Sequence, residues 1–482
     1  MGRIEATTPP IGGEARGYGA TPRRVRRSTD TRDAPSTYLR ALGALGLLGI
    51  LASVFFVAAG AAGGPGVFVP GRSGGWPGWL EGPLHGLGLG LTDNEFQVWT
   101  LVMCGGYAAV LVGARALSLR TLALAIVAAN VLLMLGPPLL SQDVFGYMAF
   151  ARMGVLHGLD PYTHVAVQAP TDPIYPFIGW PGQHSPYGPL FTLASYATAP
   201  LGLGGGLWAL KAAAVAGSLA AVALTTRAAR LAGRSPRAAA AFVGLNPVML
   251  ELAVGGAHND TLVLATLAGA LALTAGASPR FRAGALALAA GVGIKLTAGI
   301  ALPFLVLAPP QRRERVRTGL VAVGGLALVA AIGLIGFGTH ALGFLDAVGE
   351  QQQLVAAHSI PAETARLFGL NGTPSWWRHC FVAGFVLVLA CALWRVARGA
   401  DWRVGAGWAT LALLVSTAWL LPWYAIWPLP LAAVGGDRRL RAATLIFCAY
   451  AILIHLTLAD PLLAPPKPHV IPHHVHVAAL GR

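Results

Sequence analysis

Apolar runs of about the twenty residues that a helix needs to cross a bilayer recur along this chain, separated by short clusters of arginine. Inside hydrocarbon each backbone N–H and C=O must find its partner within the protein, so such runs cross as helices. Of 482 residues, 55% are hydrophobic and only 11% charged, far below the quarter or so of charged residues usual in soluble domains. A soluble helical protein would need polar helix faces, and these runs lack them. The fold class read from the sequence is an all-α polytopic membrane protein.

The formal net charge of +15 does not point to nucleic acid. The basic side chains sit between apolar runs rather than over one face. They cluster at Arg23, Arg24, Arg26 and Arg27; at Arg227, Arg230, Arg234 and Arg237; at Arg312, Arg313, Arg315 and Arg317; and at Arg438, Arg439 and Arg441. Loops with this bias stay cytoplasmic. Using them as pins gives a disordered cytoplasmic tail over 1–37, about 13 crossings between 38 and 460, and a flexible outer tail over 461–482. Two outer loops, 141–206 and 338–375, carry short interfacial helices, with 188–204 read as one of these and not as a span. Residues 284–309 have arginines on both sides and read as a hairpin with Lys295 near its apex, the kind of broken segment that lines a cavity. The four cysteines, Cys104, Cys380, Cys391 and Cys448, have no metal-ligand or disulfide spacing and read as packing residues.

Acidic residues pressed against membrane spans are costly and are functional candidates first. Asp143 lies just past the third apolar run, with Tyr147 one turn on. A carboxylate there can accept the proton of an attacking hydroxyl, although Ser141-Gln-Asp143 also suits a helix N-cap. Asp160-Pro-Tyr162 carries turn chemistry and stays a candidate for substrate contact, as do His184 and Tyr187 further along the same loop. His258-Asn259-Asp260 gathers three polar side chains at an outer junction, where Asn259 or Asp260 would also cap a helix. Glu251, inside the preceding run, is expensive to bury without purpose. Lys295 is a cation placed to meet an anionic group such as a lipid phosphate. Trp423 and Tyr424 fall at the end of a span, where interfacial belts account for many aromatics and where saccharides also stack. Neither a metal site nor a phosphate-cradling glycine loop is read.

With these residues placed, the chain resembles the GT-C superfamily of integral-membrane glycosyltransferases. More closely, it resembles the actinobacterial polyprenol-phosphate-mannose-dependent α-(1→6)-mannosyltransferases of lipomannan and lipoarabinomannan assembly. The resemblance rests on Ser141-Gln-Asp143 with Tyr147, Gly158-Leu-Asp-Pro-Tyr162, Ser185-Pro-Tyr-Gly-Pro189, His258-Asn-Asp260, the break at Lys295 and Pro422-Trp-Tyr424. It implies a GT-C-like fold in the plasma membrane, with the N-terminus cytoplasmic and the chemistry on the extracytoplasmic face. Asp143 would be the catalytic base, and mannose would pass with inversion from a polyprenyl-phosphate donor to a mannan or glycolipid acceptor. A monophosphate leaving group can be neutralised by lysine or arginine, so neither a divalent cation nor another cofactor is required. Another sugar such as arabinose or glucose, another acceptor, or a lipid-linked sugar flippase are the alternative readings. No protein partner is read from the sequence.

Overall fold

The computed structural model describes residues 37–66, 68–69 and 77–456. The tails expected at 1–37 and 461–482 lie outside the described residues, apart from Thr37, which opens the first helix. Among the described residues the fold is all-helical and carries no strand beyond one isolated bridge, Gly66 to Val69. The helices of the first half are α1 (Thr37–Ala62), α2 (Gly78–Glu81), α3 (Asp93–Gly113), α4 (Leu119–Leu135), α5 (Asp143–Leu156), α6 (Pro189–Tyr196), α7 (Gly202–Leu231) and α8 (Pro236–Gly244). A π-helix (Val248–Val254) then leads to α9 (Asp260–Thr274), α10 (Phe281–Ile294), α11 (Leu302–Leu307) and α12 (Arg312–Phe337). The last are α13 (Gly343–Gln353), α14 (Ile360–Leu367), α15 (Ser375–Ala397), α16 (Trp402–Ser416), α17 (Leu429–Gly435) and α18 (Arg438–Leu453).

Among the described residues, five helical stretches are long and apolar enough to cross a membrane: Thr37–Ala62, Asp93–Gly113, Pro189–Leu231, Arg312–Gln353 and Ser375–Ala397. The pair α8 and π-helix, bent by 45°, makes a sixth if taken as one span. The shorter apolar helices include α4, α9 and α10. Hydrocarbon gives helices no hydrophobic reason to associate, so close packing of small residues has to hold them. The contact between α1 and α3 is built this way: a Cβ at Gly46 would lie 2.5 Å from the Gly106 carbonyl, and one at Gly113 would lie 2.8 Å from the Gly43 Cα. The residues 188–204 form the short helix α6 and a 3-10 turn (Ala199–Leu201) before α7 begins.

The arginine clusters meet at helix ends. Arg237 donates to the Arg115 carbonyl at 2.7 Å, Arg282 pairs with Glu314 at 3.0 Å, and Arg315 reaches the Ala397 carbonyl at 3.2 Å. Several helices start at this end on a capping side chain: Ser118 for α4, Ser235 for α8, Asp401 for α16 and Asp437 for α18. Each satisfies backbone N–H groups that the first turn leaves open.

Pro247 lacks an N–H and ends α8. The polar groups freed by the break are met locally: the Asn246 side chain accepts from the Val248 N–H at 3.0 Å, and Tyr107 donates to the Phe242 carbonyl at 2.7 Å. A second break falls at Lys295, where extended backbone separates α10 from a 3-10 helix (Leu296–Ala301) that doubles back toward the arginine end through α11.

Candidate active site

The site lies at the end of the bundle opposite the arginines, where several breaks converge. The π-helix runs into Gly255-Gly-Ala-His258, and Ala257 takes a positive φ of 56°. A non-glycine residue in that region stores strain that the surroundings must hold, and such strain gathers at functional sites. The connection from α4 to α5 crosses this turn. The Leu139 N–H donates to the Gly255 carbonyl at 2.9 Å, and Leu140 also has a positive φ, 58°. The crossing delivers Asp143, the first residue of α5, to His258.

Asp143 Oδ2 lies 3.4 Å from His258 Nδ1. The imidazole is fully buried and stacks on Trp423, with ring centroids 3.8 Å apart and planes 20° from parallel. Neither ring nitrogen has a hydrogen-bond partner among the described residues; at Nδ1 the approach to Asp143 has ion-pair distance without hydrogen-bond geometry. The N-cap of α5 is Gln142, and Ser141 Oγ accepts from the Asp143 N–H at 3.2 Å. The Asp143 carboxylate is therefore not the cap that Ser141-Gln-Asp143 suggested, and it faces the cavity described below.

Beside it sits a second polar group. Lys295 Nζ donates to both carboxylate oxygens of Asp260 at 3.0 Å, and Trp427 Nε1 donates to the same carboxylate at 2.7 Å. Asp260 is fully buried at the first turn of α9. Such a charge is tolerated only when paired. The lysine ammonium also lies 4.5 Å from the centre of the Tyr424 ring, a cation–π distance. Next to this pair Asn259 exchanges two long hydrogen bonds of 3.4 Å with the Tyr147 hydroxyl.

A cleft of ≈ 570 Å³, partly open to solvent, is lined by Asp143, Trp180, Gln183, His184, Tyr187, Lys295, Gln351, Trp419 and Tyr424 among others. A second cavity of ≈ 810 Å³ shares Pro186, Lys295, Gln351, Trp419 and Tyr424 with the first. It continues between apolar residues, Leu296, Val348, Leu413 and Leu414. Lys295 thus stands where a polar chamber meets an apolar one. Of the residues singled out in the sequence, Asp143, His184, Tyr187, Lys295 and Tyr424 line the polar chamber. Tyr147, His258, Asn259, Asp260 and Trp423 are buried and line neither cavity.

Asp160, Tyr162 and Glu251 line neither chamber. Asp160 accepts from the Tyr162 N–H at 2.9 Å, the Asx turn expected before proline, and lies 3.3 Å from His340. The Tyr162 hydroxyl donates to the Tyr187 carbonyl at 2.8 Å and so braces the loop beneath Tyr187. His184 pairs with Glu350 of α13 at 3.0 Å, tying the two long loops together across the cleft. Asp172 is the anchor of the first loop. Burial pushes its carboxyl up, but hydrogen bonds from Arg152, His157 and the Ile174 N–H outweigh this and hold it below the usual carboxylate range. Glu251, in the π-helix, accepts from the Thr100 hydroxyl at 3.0 and 3.1 Å.

Sequence reasoning passed over Trp180, Gln183 and Gln351. No local pattern marks the glutamines. Lys211 on α7 is fully buried and donates at 3.1 Å to the Leu133 carbonyl, one of the unpaired carbonyls ending α4. Among the described residues no group of three or more His, Cys, Asp or Glu is placed to hold a metal ion.

An all-helical membrane protein with a buried carboxylate and an ammonium beside a polar cleft has the parts of a group transferase. Residues 42–311 match the family model described as "Alpha-(1->6)-mannopyranosyltransferase, N-terminal domain", and residues 368–479 match one described as "MptB C-terminal domain". The chain belongs to this α-(1→6)-mannopyranosyltransferase family. It is 29% identical over 404 residues to alpha-(1->6)-mannopyranosyltransferase A of Mycobacterium tuberculosis, covering 76% of this chain and 75% of the relative. It is 32% identical over 179 residues to the protein of the same name from Corynebacterium glutamicum, covering 36% of each chain. It is 26% identical over 347 residues to alpha-(1->6)-mannopyranosyltransferase B of that organism, covering 62% of this chain and 56% of the relative. No solved structure matches the chain.

Proposed function

We propose that the chain transfers mannose from a polyprenyl-phosphate donor to a hydroxyl of an α-(1→6)-mannan acceptor, with inversion at the anomeric carbon, in assembly of cell-envelope lipomannan and lipoarabinomannan. The observation that carries this reading is the junction at Lys295. A lipid-linked sugar has an apolar chain, a phosphate and a polar ring in that order, and the two chambers offer matching surroundings in the same order. The prenyl chain lies along Leu296, Leu413 and Leu414, the phosphate by Lys295, and the sugar toward Asp143. Two of the ammonium's three N–H groups are committed to Asp260, and the third is free for a phosphate oxygen.

Asp143 takes the proton of the acceptor hydroxyl as its oxygen bonds the anomeric carbon from the face opposite the phosphate. The anomeric carbon–oxygen bond breaks and its electron pair stays on the phosphate, whose growing charge Lys295 offsets. The acceptor enters over Trp180 and Trp419, whose rings meet edge to face with centroids 5.3 Å apart. In this reading residues 38–460 form the catalytic domain in the plasma membrane, and the shorter helices also cross, toward a total of about 13. The arginine end faces the cytoplasm and the cleft faces out.

Purified protein in bilayer nanodiscs, given radiolabelled polyprenyl-phosphate-mannose and a short α-(1→6)-mannoside, should lengthen the acceptor by one labelled residue of inverted configuration. Glucose- and arabinose-charged polyprenyl phosphates, run beside it, test the sugar. Transfer from nucleotide-linked mannose with no lipid donor would sink the reading. For orientation, a cysteine at Gly182 should react with an impermeant thiol reagent added to intact cells, and one at Gln311 should not. The opposite result would put the cleft on the wrong face.

A further inference from the structure

Deepening the role given to Asp143, we propose that His258 is its positioning residue: the imidazole Nδ1–H hydrogen-bonds Asp143 Oδ2 when substrates close the site, fixing the carboxylate so that its other oxygen meets the acceptor hydroxyl. Three independent observations converge on this ring. It is fully buried yet neither nitrogen has a partner, a state that costs free energy unless something completes it. Among the described residues the only carboxylate within ion-pair distance of it is Asp143, at 3.4 Å, a gap that catalytic hydrogen bonds often show before substrate tightens them. And the backbone aims it: Ala257 is held at φ 56°, the π-helix ends three residues before it, and the Trp423 face fixes the plane of the ring.

A core histidine present only for packing would not need strained backbone on one side and a carboxylate on the other. The step leaves the atom balance of the transfer unchanged, since the acceptor proton still goes to Asp143 and His258 keeps its own. Besides Asp143 on α5, the ionisable and polar groups around this corner are Tyr147 on the same helix, Tyr187 in the loop before α6, Tyr424 beside Trp423, and the Lys295–Asp260 pair.

His258→Phe keeps the ring stack on Trp423 and removes the N–H. His258→Asn shortens the side chain but keeps an N–H at about the Nδ1 position. The test is full-length protein in nanodiscs, assayed with polyprenyl-phosphate-mannose and an α-(1→6)-mannoside over pH, with melting temperature as the folding control. The Phe variant should lose about 10- to 150-fold in kcat, the range for a hydrogen bond to a charged group, with KM for both substrates little changed. The acid limb of its kcat/KM profile should move to higher pH, because a carboxylate deprived of a donor binds its proton more tightly. The Asn variant should recover most of kcat and return the acid limb to the wild-type position.

Equal loss in Phe and Asn variants that melt like the wild type would overturn the proposal, because filling the space and not the N–H would then be what matters. So would a Phe variant with an unshifted profile. Asp143→Asn run in parallel separates the two claims. If it transfers normally, the base assignment itself has failed; if it is inactive while His258→Phe is normal, only the positioning role has.

Discussion

Asp143→Asn is expected to leave the protein folded, inserted and able to bind lipid donor, and to cut transfer by at least about two orders of magnitude. General-base catalysis typically contributes about 10²–10⁴-fold, and a sugar hydroxyl is a poor nucleophile until its proton is shared. The substitution is clean because the carboxylate makes no capping bond that Asn would have to replace. The N-cap of α5 is Gln142, and the Asp143 N–H is already met by Ser141. Donor affinity, read by competition with unlabelled polyprenyl-phosphate-mannose, should stay near wild type. Normal turnover by the Asn variant would transfer the role of base elsewhere.

Lys295→Ala is expected to do more harm than the loss of one phosphate contact. Asp260 is fully buried, and with the ammonium gone only Trp427 still donates to its carboxylate. Removing one partner of a buried ion pair typically costs about 3–5 kcal/mol, so the single variant should melt well below wild type. Lys295→Met combined with Asp260→Asn removes both charges together and should regain much of that stability, since well-packed neutral replacements of buried pairs are often tolerated. Melting temperature and donor affinity then separate. If the ammonium holds the phosphate, the double variant folds and still binds donor poorly. If it folds and binds donor with wild-type affinity, Lys295 serves the fold alone.

The helical membrane fold was legible because hydrophobicity alone dictates it: runs such as 37–62 and 375–397 have no other stable state in a bilayer. The break at Lys295 was also legible, because arginines flank 284–309 on both sides and the segment must return to the end it left. Pairings were less accessible. Lys295 and Asp260 are 35 positions apart and Trp427 is 167 from Asp260, and nothing in local spacing joins them. Lys295 was therefore read as a cation placed to meet a lipid phosphate, and its pairing with the buried Asp260 left no mark in the sequence. Asp143 stood out because a carboxylate in apolar surroundings is costly wherever it lies, whereas Gln351 sits in an ordinary polar helix and carries no such mark. The π-helix left no trace, since one extra residue within a run that is apolar apart from Glu251 does not disturb a pattern that has no polar face to begin with.

That extra residue has a consequence for how the segment can change. Each residue of an α-helix turns the chain by about 100°, so if 248–254 kept all its residues and relaxed to a regular α-helix, all that follows would swing by roughly that angle. His258, Asn259 and Asp260 would leave their partners together, although none of the three had been replaced. What this stretch contributes is phase: apolar side chains can be exchanged along it with modest effect, but the wide turn that absorbs its extra residue cannot be tightened.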